Sequence, residues 1–323
     1  MRMGIKITVI GCGRWGTFIA WYLDRTVDGA VTLYGREGSQ NMERLQRSRS
    51  NGQVALPESV RLVTDFEAAA DADIVIVSIG SQGLRGLMEQ WAQTENSFCC
   101  KAVVLCMKGL EIETGKRLSQ IAEEYLPCPV AVWLGPGHVQ EFYRGIPNCM
   151  VIDSREDELK RRLVKAFSSD LIRFYYGADL LGNEIGAAAK NVVGIAAGML
   201  DGLKLSSLKG ALMSRGTREI SRLIRAMGGD ELSAYGLCHL GDYEATVFSR
   251  YSHNRQYGES FVRGEEYSQL AEGVHTVRAL MRLAGEYGEE LPICAAVYRV
   301  LFEKEAPADM LGSLFLRSLK DEF

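Results

Sequence analysis

The chain has little of what metal and thiol chemistry requires at close quarters. It carries four histidines and eight cysteines in 323 residues, with no HExxH and no CxxC pair. These gaps exclude the common zinc-hydrolase, zinc-ribbon and thioredoxin-like signatures, and no metal site is expected. Cys12, Cys99, Cys100, Cys106, Cys128, Cys149, Cys238 and Cys294 lie mostly in apolar stretches and read as reduced core residues. Positive charge is not in excess either: 37 Lys and Arg against 41 Asp and Glu give a net charge of -4. That balance offers no footprint for nucleic acid. Apolar runs fall well short of the ~20 residues that span a bilayer, so no membrane span is expected. No secretory signal precedes the first strand-like run, which makes the cytoplasm the expected location.

What the chain does have is length for about two domains, each with a core. "ITVIG", "VTLYG", "ADIVIVSIG", "KAVVLCM", "PVAVWLG" and "NCMVIDS" are short apolar runs rich in β-branched residues, the composition of buried strands. Helical patterns over residues 15–22, 83–91 and 114–125 fall between several of them. Such alternation predicts a doubly wound parallel sheet with helices on both faces, a Rossmann-type α/β domain over residues 1–181. From residue 182 to 323 the apolar period is helical, as in "NEIGAAAKNVVGIAAGML" and "PICAAVYRVLFE". An all-α domain is expected there.

The motifs sit at turns of this alternation. "GCGRWG", residues 11–16, fits GxGxxG after a strand and at the opening of a helix. Gly11 suits the tight turn, Gly13 the approach of a pyrophosphate and Gly16 the packing of helix on strand. Arg36 follows the second strand, where a 2′-phosphate would lie, which favours NADP slightly over NAD; the nearby Glu37 keeps NAD open. Lys108 follows the "AVVLC" strand at the ligand-binding edge of such sheets, although a surface lysine there is common. "WLGPGHVQEF" supplies Gly135 and Gly137 at another strand end, as a functional turn or an ordinary loop.

Lys190 is the anomaly. It is the one ammonium in "EIGAAAKNVVGIAAGM", residues 184–199, where Gly186, Gly194 and Gly198 recur at helical spacing. A buried unpaired lysine costs several kcal/mol, so it either reaches solvent or serves chemistry. The small residues are expected to let this helix approach the cofactor domain. Residues 240–259, "LGDYEATVFSRYSHNRQYGE", form a second polar cluster that reads as a loop presenting hydrogen bonds and charge to an anion, or as a solvated loop of the same composition.

"GCGRWGT", "MKGLE", "LGPG", "EIGAAAKNVVGIAAGMLDGL", "ALMSRG", "GLCHLGD", "SHNRQYG" and "AEGVHT", in this order, resemble the NAD(P)-dependent sn-glycerol-3-phosphate dehydrogenases along nearly the whole chain. The resemblance implies cofactor contacts at Gly11, Gly13, Arg14, Trp15, Gly16, Arg36, Lys108, Val139, His253 and Glu272. It implies substrate contacts at Lys108, Gly135, Gly137, Asn191, Thr246, Ser252, His253 and Asn254. Lys190 is the implied general acid/base, with Lys108 and Asp242 as catalytic partners. The implied reaction interconverts glycerone phosphate and sn-glycerol 3-phosphate in a soluble enzyme, with a homodimer possible. Two positions depart from the pattern: Gly137 stands where the family has a serine, and His253 where it has a phosphate-binding arginine. Arg250 and Arg255 are candidates to compensate. The alternative reading is a related dehydrogenase of another small hydroxy acid or phosphate ester.

Overall fold

The computed structural model describes residues 4–94 and 100–315. The chain begins with β1 (Ile5–Ile10), α1 (Arg14–Thr26), β2 (Gly29–Tyr34), α2 (Gln40–Ser48), β3 (Arg61–Val63) and α3 (Phe66–Ala70). β4 (Ile74–Val77), α4 (Leu84–Ala92), β5 (Ala102–Leu105), α5 (Leu118–Tyr125), β6 (Val130–Leu134) and the one-turn α6 (Val139–Tyr143) follow. β7 (Asn148–Ser154), α7 (Asp157–Phe167) and β8 (Ile172–Tyr176) complete an eight-stranded sheet of order β3-β2-β1-β4-β5-β6-β7-β8. Every residue of β4 and β5 is buried, as strands covered on both faces require, and their β-branched side chains fill both layers. Phe18, Ile19 and Leu23 of α1 pack in the same core as Ile7, Val9, Leu33 and Ile76.

The sheet is mixed where a purely parallel one was expected. β7 runs antiparallel to β6, with Leu134 opposite Val151, while the other neighbouring strands are parallel. α6 explains the reversal. Five residues of helix rise about 8 Å, against about 17 Å for β6, so no helix carries the chain back to the start of the sheet. β3 and β8 also lie outside the strand-like runs of the sequence. β3 is three residues long, and β8 alternates buried Ile172 and Phe174 with exposed Arg173 and Tyr175.

The remaining helices are α8 (Leu180–Gly202), α9 (Lys209–Ala226), α10 (His253–Arg263), α11 (Glu272–Tyr287), α12 (Pro292–Phe302) and α13 (Pro307–Phe315). Contacts divide the chain into two compact units: residues up to Lys108 with Lys116–Glu184, and Gly109–Gly115 with residues from Ile185 onward. The division thus falls inside α8. The helix read over residues 114–125 starts only at Leu118, because Gly109–Gly115 leaves β5 to join the helical unit. There Leu110 is fully buried, and a Cβ on Gly115 would touch Leu283 of α11. Among the described residues, no helix is long and apolar enough to cross a membrane.

Candidate active site

In the first unit the β1–α1 turn is shaped by what its glycines leave out. Gly11 has φ +111°, and a Cβ there would stand 2.1 Å from the Ser78 carbonyl oxygen. A Cβ on Gly16 would meet the Gly11 carbonyl oxygen at 1.8 Å. Both glycines are therefore obligatory for the turn. Gly13 differs: it caps α1 at φ -73°, and among the described residues, its chain neighbours aside, none lies within 4 Å of its Cβ position. No side chain caps the N-terminal amides of α1, and no acidic residue sits in its first turn. Arg14 is exposed beside them, and Trp15 packs on Phe18 and Phe142 with ring centroids 5.2 and 6.1 Å away.

Five other predicted positions follow strands at the carboxyl edge of this sheet. Arg36 is exposed two residues beyond β2. Lys108 lies three residues beyond β5, and its Nζ donates to the Gly135 carbonyl at the end of β6, 2.6 Å away. Gly135 and Gly137 have φ of +118° and +151°. A Cβ on Gly137 would strike Phe142 at 2.2 Å, so the absence of a serine here is tied to the aromatic that follows. Val139 is buried at the start of α6.

In the second unit Lys190 does not reach solvent. It is 8% exposed, and its Nζ lies 2.7 Å from Thr246 Oγ1 and 3.1 Å from Asp242 Oδ2. Thr246 Oγ1 donates in turn to the Asp242 carbonyl at 2.7 Å. Asp242 closes a 3-10 turn and Thr246 sits in the π-helical turn Glu244–Phe248 that follows. The cost of burying the ammonium is offset by this carboxylate and hydroxyl. The polar residues near Lys190 in sequence make contacts of their own. Glu184 accepts from Arg117 at 2.5 Å and from Ser119 N at 2.9 Å, while Asn191 Oδ1 accepts from Asn254 Nδ2 at 3.0 Å.

Asn254 is fixed from its other end as well, because Gly273 N donates to its Oδ1 at 2.9 Å. Ser252 is the N-cap of α10 and accepts from Arg255 N at 3.3 Å. His253 opens α10; its Nδ1 lies 2.6 Å from the Tyr267 hydroxyl, which donates to Gln256 Oε1 at 2.9 Å. Glu272 occupies the first position of α11. The cluster at 240–259 is thus not a loop but a 3-10 turn, a π-turn and the first part of α10. Nor is Arg255 available in the way the sequence suggested. Its guanidinium contacts Asp201 Oδ2 at 2.7 Å, Glu259 Oε2 at 3.0 Å and the Ser249 carbonyl at 3.1 Å. Arg250 stacks on its neighbour Tyr251.

The glycines of α8 serve a purpose the sequence reading misjudged. A Cβ on Gly186 would meet His239, one on Gly194 would meet Thr246 and Asn254, and one on Gly198 would stand 1.9 Å from the Arg255 carbonyl oxygen. They admit their own unit's turns and α10, with Gly258 answering from α10 against the Ile195 carbonyl at 2.1 Å. The sequence reading also missed two networks. His239, fully buried, has Nδ1 2.8 Å from the Gly186 carbonyl and Nε2 2.8 Å from the Tyr243 hydroxyl. Burial pulls its pKa down to about 4, so the ring is neutral. Asp201 joins Arg255 to Lys209, whose Nζ also reaches the Val247 carbonyl at 3.1 Å and so holds the end of the π-turn. Spacing alone gave no signal for either, since the partners are far apart in sequence. Among the described residues, no cluster of His, Cys, Asp or Glu could hold a metal ion.

The comparisons with known proteins agree along the chain. A model of the NAD-dependent glycerol-3-phosphate dehydrogenase N-terminus matches residues 6–160, and one of the C-terminus matches residues 179–312. A glycerol-3-phosphate dehydrogenase (NAD(P)+) from Thermotoga sp. (strain RQ2) is 36% identical, the match covering 99% of each chain. One from Prosthecochloris aestuarii is 35% identical over 98% of this chain and 99% of its own. The crystal structure of glycerol-3-phosphate dehydrogenase from Coxiella burnetii superposes with a TM-score of 0.88 at 26% identity, covering 97% of this chain and 99% of that one.

Proposed function

The chain belongs to the NAD-dependent glycerol-3-phosphate dehydrogenase family, and from that premise we infer that it interconverts glycerone phosphate and sn-glycerol 3-phosphate with NAD or NADP. No observation favours the alternative of another hydroxy acid or phosphate ester. The β1–α1 turn suits a dinucleotide: among the described residues, its chain neighbours aside, none lies within 4 Å of a Cβ on Gly13, and no side chain caps the helix that follows, which favours a pyrophosphate at its N-terminus. Gly11, Gly13, Arg14, Trp15 and Gly16 would hold the cofactor there, with Val139, Lys108, His253 and Glu272 as further contacts. Arg36 would take a 2′-phosphate. When bound, the nicotinamide supplies or accepts the hydride.

Lys190 is the proton carrier of this reading. As an ammonium it donates to the oxygen that turns negative on reduction; as an amine it removes the alcohol proton in the reverse direction. Asp242 and Thr246 orient Nζ through the 3.1 and 2.7 Å contacts, which leaves little freedom for the amine to misplace its proton. Lys108, held by the Gly135 carbonyl, brings fixed charge to the substrate oxygens, and Asn254, braced by Asn191 and Gly273, presents its amide to the phosphate with Ser252 nearby.

His253 stands in for an arginine under one condition. With the Tyr267 proton given to Gln256, Nδ1 of His253 is the donor to Tyr267, so Nε2 carries a proton only in the imidazolium. Its phosphate contact is then a property of the charged ring.

The buried Lys190–Asp242–Thr246 group carries the proposal, since no purely structural need explains an ammonium there. Replacing Lys190 with Ala should lower kcat at least ~100-fold while the cofactor still binds. Turnover near the parent's in a folded variant would remove Lys190 from the chemistry. The first unit is then the dinucleotide-binding part and the second the catalytic part of a cytoplasmic enzyme. A homodimer belongs to the same reading, and sedimentation would test it.

A further inference from the structure

We propose that Cys100 and Cys128 are a redox-active dithiol, a modification site at which low-molecular-weight disulfides oxidise the pair to an intramolecular disulfide. Their Sγ atoms lie 3.1 Å apart, close enough for one thiol to hydrogen-bond the other. Cys100 precedes β5 and Cys128 precedes β6, adjacent parallel strands with Val103 opposite Val130. The two side chains therefore meet at the amino ends of neighbouring strands, where backbone pairing holds them in place. Closing from 3.1 Å to a covalent S–S bond of about 2.05 Å takes a movement of about an ångström, within reach of side-chain rotation.

The roles of the two sulfurs differ. Cys128 is half-buried, while Cys100 is buried. The hydrogen bond from Cys100 stabilises the Cys128 thiolate and lowers its pKa. Cys106 and Cys294 show the opposite case, as burial pushes their thiols up. Cys128 is thus the attacking group and Cys100 the resolving one. The Cys128 thiolate attacks one sulfur of a disulfide RSSR, forming a mixed disulfide and expelling RS⁻, which takes up a proton. Cys100 then gives up its proton and attacks Cys128 Sγ, expelling the second RS⁻. Two electrons pass from the protein pair to the reagent, and two RSH leave. The bond formed would tie β5 to β6, whose carboxyl ends lead to Lys108 and Gly135, so it would fix the register of the strand pair that carries the Lys108–Gly135 contact.

The test uses the full chain with Cys99, adjacent in sequence, replaced by Ser so that peptides map to single thiols. Treatment with 2-hydroxyethyl disulfide should consume two thiols and yield a Cys100–Cys128 cross-linked peptide without a retained hydroxyethyl group, reversible by dithiothreitol. C100S should stop at a stable hydroxyethyl adduct on Cys128; should C100S fail to fold, C128S should leave Cys100 unmodified. A hydroxyethyl adduct that persists on Cys128 while Cys100 is present would overturn the proposal. So would failure of both thiols to react while half-buried Cys149 is modified, or while no cysteine is.

Discussion

The two units use glycine to opposite ends. In the β1–α1 turn, Gly13 keeps space clear, and among the described residues, its chain neighbours aside, none enters within 4 Å of where its side chain would be. In α8, Gly194 and Gly198 also keep space clear, but Thr246, Asn254 and the backbone of α10 fill it. One absence of side chain leaves room, the other is consumed by packing. The comparison teaches that a small residue is informative only together with what stands opposite it, and sequence spacing reports the first without the second.

Substitutions can break that contrast. The largest effect is expected at Gly198: alanine there forces α8 and α10 apart and should cost about 3 kcal/mol or more of stability, read as a fall in the denaturant midpoint. Next is the closed second unit's response to acid. His239 is held neutral, with its pKa at about 4 against an ordinary 6.5. Below 6.5 the unfolded chain binds the proton first, so the stability tied to the neutral ring is complete above that pH. It should drain away between 6.5 and about 4, by roughly 3 kcal/mol in all. Urea unfolding across that window, compared with His239→Gln, would show whether the slope belongs to this ring.

Smaller effects are expected at the open site. Gly13→Ala meets no neighbour and should leave Tm unchanged, yet weaken both nicotinamide cofactors about tenfold, a loss of about 1.4 kcal/mol. Arg36→Ala, measured in the same titration, should weaken NADP alone. An alanine at 13 that lowered Tm as much as one at 198 would dissolve the contrast between the two regions. The mildest change belongs to His253. His253→Arg, which restores a fixed fork of charge, should lower substrate KM severalfold with little change in kcat. Equal KM values for the two proteins would count against a phosphate contact at this position.

Most of the first unit was readable in the sequence because its signals are local. GxGxxG, the strand runs and Lys108 after "AVVLC" each report on a few consecutive residues, and the turn geometry at Gly11 and Gly16 follows from them. Less local features escaped. β8 was missed because its outer face is exposed, which dilutes the apolar run. The reversal at β7 depends on the length of α6, which the alternating pattern does not convey. In the second unit Lys190 stood out by its apolar surroundings, and its partners Asp242 and Thr246 came only through family resemblance. Its hydrogen bonds span more than fifty positions, and no periodicity encodes such a distance. Residues 240–259 misled for a physical reason: their polar side chains point at one another and at α8, so a packed, hydrogen-bonded turn has the composition of a solvated one.

Gly137 carries a consequence for the history of the molecule. The ring of Phe142 lies where a side chain at 137 would begin, and it is stacked on Phe18 with centroids 5.2 Å apart. Serine at 137 therefore needs two changes at once: the aromatic at 142 must become smaller or turn aside, and the backbone must leave φ +151°. The order of substitutions is thereby constrained, and the glycine is entrenched by a neighbour five positions away.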